Sequence, residues 1–316
     1  MRLDPGTLLL TAARVVPRLP GWLSAALFAG VADVASLTGV AGVEQLRANL
    51  ARAVPDASPG ELRRLTRCGM RSYMRYYEEA LRLPAVPTER LAQRVRLVNG
   101  EWAQAEFAAG RPVVAALGHM GNWDLAGAWA TQYLAPVVTV AERLRPEELF
   151  QGFLTFRRSL GMTIIPLDHD GSTFRNLLRA GRRGAQVIPL LADRDLSRSG
   201  VEVELLGEPA RVAPGPAALA LAINRPLAFV SITYERLHGP RRQAAGSRWG
   251  IVVEFSDPIP APTDLPRERA IARMTQQWVD HLGDAVRAHP EDWHMLQPVF
   301  VADLDPARLK PAGSVA

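Results

Sequence analysis

A histidine followed five residues later by an aspartate, in Gly118-His119-Met120-Gly121-Asn122-Trp123-Asp124, is the pair whose types and spacing suit acid–base chemistry. No other histidine of the sequence has an aspartate at that spacing. An imidazole oriented by a carboxylate is the usual general base for taking a proton from a nucleophile. A single histidine is more often structural, so its surroundings decide. The run Val113–Leu117 just before Gly118 is apolar and β-rich, and a helix is predicted from Asn122-Trp123 to about Gln132. Ligands of open α/β sheets bind at strand ends. Within one helix, five positions would put the pair on different faces. The pattern therefore places His119 before the helix and Asp124 in its first turn, with the carboxylate folded back towards the imidazole. Gly118 and Gly121 leave room for a ligand to approach closely.

A second charged group, Asp193-Arg194-Asp195, follows the predicted strand Gln186–Leu191. It reads either as a solvated turn, with Asp195 capping and Arg194 paired to it, or as part of a site at the sheet edge. If the two strands are neighbours, Asp193 lies near His119. Arg143 and Arg145 precede the predicted helix Pro146–Leu160, and Arg157 and Arg158 lie on it. Helical arginines are usually solvated, although a phosphate-rich substrate would give them a role. There is no Walker loop, no dinucleotide fingerprint and no nucleophile elbow. His119 has no His or Cys at metal spacing, so no metal site is expected.

The elements that must position these residues alternate. Strands are predicted at Val95–Val98, Val113–Leu117, Pro136–Val140, Met162–Pro166, Gln186–Leu191, Val201–Leu205, Leu227–Thr233 and Gly250–Phe255. Helices are predicted between most of them, an Arg-rich loop, His238–Arg248, between the last two, and a long amphipathic helix at Arg267–Ala288. This pattern predicts an α/β fold with a mixed, largely parallel central sheet flanked by helices. No linker is long enough to divide the chain. The expectation is one domain over 1–306 and a loose tail at 307–316, where Pro, Gly and Ser gather.

The 316-residue chain carries a net charge of +5, and all but one of its 37 basic residues are Arg, Lys310 being the exception. Such a surface suits phosphorylated substrates or anionic lipid, although a GC-rich genome would produce the same bias. Nucleic acid is not expected, since aromatic residues are only 7% and no binding motif occurs. The single cysteine, Cys68, excludes an internal disulfide; its helical run, Glu61–Leu81, suggests an inert buried thiol. An apolar stretch from Leu19 extends to Val43, long enough for a membrane span, but it contains Asp33. A carboxylate at mid-bilayer is costly. The reading is an amphipathic helical pair over 1–40 lying at the membrane interface, with Trp22 and Phe28 towards acyl chains and Arg2, Arg14 and Arg18 at headgroups. The alternative is a buried core helix.

The block Gly118–Asp124 resembles the catalytic block of the bacterial lipid A lauroyl/myristoyl acyltransferase superfamily. Within it, the chain is most similar to the actinobacterial phosphatidylinositol mannoside acyltransferases. Further matching strings are Thr139–Leu144, Arg157 with Ser159-Leu160-Gly161, Asp193–Leu196, Ser199–Val203, Leu205–Pro209 and Pro290–Pro298. The resemblance implies an acyl-CoA-dependent O-acyltransferase of the glycerolipid acyltransferase α/β fold. It implies transfer of a long acyl chain, palmitoyl being expected, to a mannose hydroxyl of phosphatidylinositol mono- or dimannoside. It also implies peripheral attachment to the cytoplasmic face of the cell membrane, on an anionic surface, and no cofactor, acyl-CoA being a substrate. The family's catalytic His and motif Asp fall on His119 and Asp124, and its second carboxylate on Asp193, where the mycobacterial enzymes have Glu. Arg157 matches a family Arg at the donor site. Arg194, Glu142 and Arg143 fall in matching strings and are taken as substrate-binding.

The implied mechanism has His119 as general base, Asp193 or Asp124 fixing its tautomer, and backbone N–H groups at the next helix start meeting the oxyanion. No acyl-enzyme is needed. The alternatives are a lipid A-type or lysophospholipid acyltransferase with another acceptor, and a non-catalytic acyl-CoA- or lipid-binding homologue.

Overall fold

A computed structural model describes residues 11–12, 14–143, 145–168, 171–195 and 200–305. The tail 307–316, Arg2, Leu144, Leu196 and Ser199 fall outside them. Five strands form the central sheet: β1 (Val95–Val98), β2 (Val113–Leu117), β5 (Val187–Leu191), β8 (Leu227–Arg236) and β9 (Trp249–Phe255), in the order β1-β9-β8-β2-β5. All neighbours are parallel except β8 and β9. The expected mixed, mostly parallel α/β fold is what forms. A parallel pair, β3 (Val138–Ala141) and β4 (Thr163–Pro166), joins β5 through a bridge between Val137 and Val187. β6 (Val201–Leu205) and β7 (Glu208–Val212) form an antiparallel pair. β7 and the helix Thr88–Arg94 carry no strong periodicity and were not foreseen. The Arg-rich stretch expected as a loop, His238–Arg248, holds a short helix, Gly239–Ala245.

β2 lies at the centre of the sheet and all five of its residues are buried, which is why it reads as an unbroken apolar run. Its side chains alternate between two cores. Val113, Ala115 and Leu117 pack with Leu125, Trp129, Phe150 and Phe255; Val114 and Ala116 pack with Trp278, Leu282 and Leu219 on the other face. Leu125 and Trp129 belong to the helix Trp123–Tyr133, Phe150 to the helix Glu147–Ser159, and Trp278 and Leu282 to Arg267–Ala288.

The N-terminal region folds as helices α1 (Gly21–Leu37) and α2 (Ala41–Ala53) against α3 (Pro59–Arg82). α1 and α2 meet at 82° across a break that contains Gly39 at φ 59°, a conformation glycine adopts without strain. No single helix among the described residues is long and apolar enough to cross a membrane. Asp33, the charge inside the apolar run, is held by both Arg67 and Arg71 of α3. Trp22 is 71% exposed and Leu27, Val31, Val34 and Leu37 also face outwards, while Phe28 is only half-exposed. Cys68 corrects the sequence reading: it is exposed, because it lies on the outer side of α3, with Arg67, away from the face that carries Thr66, Gly69 and Met70.

Candidate active site

Strand register brings the first two site residues together. Leu117 of β2 pairs with Leu191 of β5, and His119 and Asp193 each lie two residues beyond that pair. His119 Nδ1 is 2.5 Å from Asp193 Oδ1. The other carboxylate oxygen, Oδ2, accepts the His119 main-chain N–H at 2.8 Å and the Trp293 indole N–H at 3.0 Å. Asp193 is wholly buried, whereas the His119 side chain keeps 23% of its surface. Burial alone would push the Asp193 carboxyl up; the His119 imidazole and the N–H donors hold it below the usual carboxylate range. With Nδ1 engaged, Nε2 is the ring nitrogen left for a substrate.

Two glycines make this packing possible by letting protein, not ligand, come close. A Cβ on Gly118 would lie 2.7 Å from Leu282, and one on Gly121, at φ 56°, would lie 2.4 Å from the Ile232 carbonyl oxygen. A C-terminal strap closes the loop from the other side. The His294 N–H donates to the His119 carbonyl at 2.7 Å, the Gly121 N–H to the Asp292 carbonyl at 2.9 Å, and Met120 bridges Trp293. The strap therefore delivers Trp293, a partner of Asp193 that residue spacing alone gives no reason to pick.

Asp124 does sit in the first turn of its helix, α6 (Trp123–Tyr133, following α4 Thr88–Arg94 and α5 Glu101–Ala108). Its carboxylate is not folded back to His119. It takes Arg157 Nε at 2.8 Å and the Tyr76 hydroxyl at 2.7 Å. Arg157 reaches it from α7 (Glu147–Ser159). Burial disfavours the Arg157 charge, and the Asp124 carboxylate more than compensates, so the guanidinium stays protonated. Burial, then the Asp124 charge, push the Tyr76 phenol well above its ordinary value, leaving a neutral donor. The Tyr76 ring lies 4.1 Å from that of Trp123, and Trp123 meets the His119 ring edge-on at 5.6 Å. Asn122, fully buried, caps α6 by accepting the Leu125 N–H and donates to Glu79. The Trp123 and Asp124 N–H groups precede the helix's own ladder.

The remaining foreseen residues lie further out. Arg194 is 3.4 Å from Glu142, and Arg143 is 3.3 Å from Asp168. Both pairs are exposed links between loops and touch neither His119 nor Asp124.

Beside the pair lies a cavity between the sheet and α6. Trp123, Asp124 and Arg157 line it, and its body is apolar, with Trp129, Met162, Val230 and Phe255. Its wall takes side chains from β9, β8, β2, β5 and β3, five adjacent strands that span about 19 Å at ~4.8 Å per gap. An apolar slot of this length beside His119 suits an extended hydrocarbon chain.

A profile of the bacterial lipid A biosynthesis acyltransferase family matches residues 6–301. The chain belongs to that family. It is accordingly an acyltransferase. It is 36% identical over 301 residues to a phosphatidylinositol mannoside acyltransferase of Mycolicibacterium smegmatis, covering 95% of this chain and 93% of the relative. It is 39% identical over 272 residues to the phosphatidylinositol mannoside acyltransferase of Mycobacterium tuberculosis strain H37Rv, covering 84% and 80%.

Proposed function

We propose that this acyltransferase moves a long-chain acyl group, palmitoyl being the expected one, from acyl-CoA to a mannose hydroxyl of phosphatidylinositol mono- or dimannoside. The observation that carries this reading is the His119–Asp193 contact of 2.5 Å beside an apolar cavity; the relatives' names supply the acceptor. The acyl chain occupies the cavity and sets its thioester carbonyl near His119. The mannose hydroxyl attacks that carbon while Nε2 takes its proton, and Asp193 balances the new imidazolium charge. The oxyanion meets the N–H groups at the start of α6, where the helix dipole favours negative charge. The tetrahedral intermediate collapses by breaking the C–S bond. CoA leaves as a thiolate, which the imidazolium or water protonates, and the ester stays on the sugar. Neither a covalent acyl-enzyme nor a cofactor enters this sequence.

The exposed apolar side chains of α1, together with Arg18, support attachment to the cytoplasmic leaflet from one side. The test of the base is H119A, measured with labelled palmitoyl-CoA and a panel of glycolipid acceptors. Acyl transfer should vanish while acyl-CoA binding and the circular dichroism spectrum persist; retained turnover would remove the base assignment. Within the same panel, acylation of a lysophospholipid or lipid A precursor but not of the mannosides would replace the acceptor. Donor binding by the parent protein with no product on any acceptor would favour a lipid-binding role.

A further inference from the structure

Two arginines near the site rest on one indole, and among the described residues neither forms an ion pair with a carboxylate. The Arg75 guanidinium lies 3.7 Å from the centre of the Trp249 ring and 4.5 Å from that of Tyr234. The Arg236 guanidinium lies 4.1 Å from the centre of the same Trp249 ring. Arg236 and Trp249 are cross-strand partners of β8 and β9, and Arg75 reaches them from α3. Stacking on an aromatic face fixes a guanidinium without neutralising it. The acids nearby are committed elsewhere. Glu235 pairs with Arg96 and Arg241, Glu79 with Arg94 and Asn122, and Asp292 with the Ser72 hydroxyl and the Tyr234 N–H. Among the described residues, no carboxylate lies within salt-bridge distance of Arg75 or Arg236. Two like charges held on one ring repel, and a bound anion within reach of them offsets that repulsion. The planar fork of a guanidinium matches phosphate in shape as well as in charge.

The cluster sits where a second substrate can reach it. β8 is level with the end of β2 at Val230 and runs on to Arg236, about 20 Å further at ~3.3 Å per residue. It therefore extends past His119 on the same edge of the sheet. Arg75 precedes Tyr76, whose ring packs on Trp123, the neighbour of His119. Arg75, Arg236, Tyr234 and Trp249 do not line the apolar cavity. The acyl chain and this cluster thus use separate surfaces.

We infer that Arg75 and Arg236, seated on Trp249, bind the phosphate diester of the acceptor headgroup. The inference rests on the acceptor proposed above, in which the phosphate lies beyond the inositol from the mannose that must meet His119. The test uses the full chain with R75Q, R236Q and the double variant. Calorimetry with glycerophosphoinositol, the soluble headgroup, reads the site without acyl transfer. Each substitution should weaken its binding about ten- to hundredfold, the loss of one charge-assisted contact. The KM for the phosphatidylinositol mannoside should rise in step, with kcat and the acyl-CoA KM held within about twofold. A phosphate-free acceptor such as an alkyl mannoside should show no change. Arg236 is exposed, so R236Q leaves the core intact. The inference is overturned if headgroup affinity is unchanged, or if the rise falls on the acyl-CoA KM, which would give the cluster to the CoA phosphates. It is also overturned if the variants lose only adhesion to phosphatidylglycerol vesicles, a general membrane contact. Should the parent bind the headgroup through these arginines yet acylate no mannoside, the phosphate site stands and the acceptor reading fails.

Discussion

Replacing Asp193 by Asn removes one charge and almost no volume, which makes D193N the sharpest probe of the proposed base. The carboxylate serves three groups: His119 Nδ1, the His119 main-chain N–H and the Trp293 indole N–H. An amide offers one acceptor and one donor end. With its oxygen towards Nδ1, its NH2 opposes two N–H donors in a wholly buried site. With the amide reversed, the oxygen accepts both N–H groups and the NH2 donates to Nδ1. The reversed form satisfies every group, and it wins because each buried donor left unpaired costs about 1–3 kcal/mol. It also puts the imidazole proton on Nε2, the nitrogen that must accept the substrate's proton. D193N should therefore fold and bind the donor while kcat falls about 10²–10⁴-fold, or roughly 3–5 kcal/mol of barrier. Single-turnover acylation with labelled donor measures this, with circular dichroism as the control. D193E keeps the charge but extends the side chain by about 1.5 Å, against Gly118 and Trp293. It should lose about ten- to a hundredfold, the cost of a base displaced by that much. A D193N enzyme within about threefold of the parent would refute the tautomer argument and, with it, Asp193 as the partner of the base.

Two further outcomes follow from the buried groups around the site. A Cβ on Gly127 would lie 2.6 Å from the Met162 sulfur, and both residues line the cavity, so G127V should shorten the preferred acyl donor. Every methylene that no longer fits should lower kcat/KM about fourfold, from ~0.8 kcal/mol each, in a series from decanoyl- to stearoyl-CoA; an unchanged chain-length profile would exclude the cavity as the acyl site. His294 is buried and neutral, its pKa lowered to about 3 by burial and then by the nearby Arg75 charge. The unfolded chain binds the extra proton first, so stability should be full above about pH 6.5 and fall towards pH 3 by up to ~1.4 kcal/mol per unit. H294Q, whose amide can still reach Ser72, should flatten that slope by about one proton in urea unfolding across this window, and an unaltered slope would assign the acid sensitivity elsewhere.

The sheet and both ends of the His119–Asp193 pair were legible because the signals were local. β2 and the helix Arg267–Ala288 have the residue ranges that periodicity predicts. Asp193 could be placed beside His119 only on the condition that two strands were neighbours, and the register supplies that condition. Trp293, Tyr76 and Asn122 gave no comparable sign. Each acts through a contact between segments distant in sequence, and nothing in a tryptophan or tyrosine at a helix or strap position announces its partner. The glycines were read correctly as places of close approach but assigned the wrong visitor, since a missing Cβ admits a neighbouring main chain as readily as a ligand. Asp124 failed for a related reason. Five positions from His119 fix how far the chain can reach, not which of two partners the carboxylate will choose. The helix start turns it towards Arg157, which arrives from α7.

That division of the two carboxylates has a consequence for the chemistry. At rest, Asp124 neutralises Arg157 at the cavity wall, so the slot presents no net charge to an acyl chain at its buried end. Breaking such a pair by removing one member leaves an uncompensated buried charge, typically about 3–5 kcal/mol, so the loss of Asp124 is expected to be costly although it does not touch His119. Asp193 has the opposite task. It is held ionised below the usual carboxylate range, beside the imidazole proposed to gain a proton from the acceptor. In the proposed mechanism positive charge therefore appears only where a buried carboxylate already waits for it, and the N–H groups at the start of α6 would face the negative charge that appears with it. On that proposal both charges of the transition state are met by groups that need not move, while the cavity proposed for the hydrocarbon stays neutral throughout.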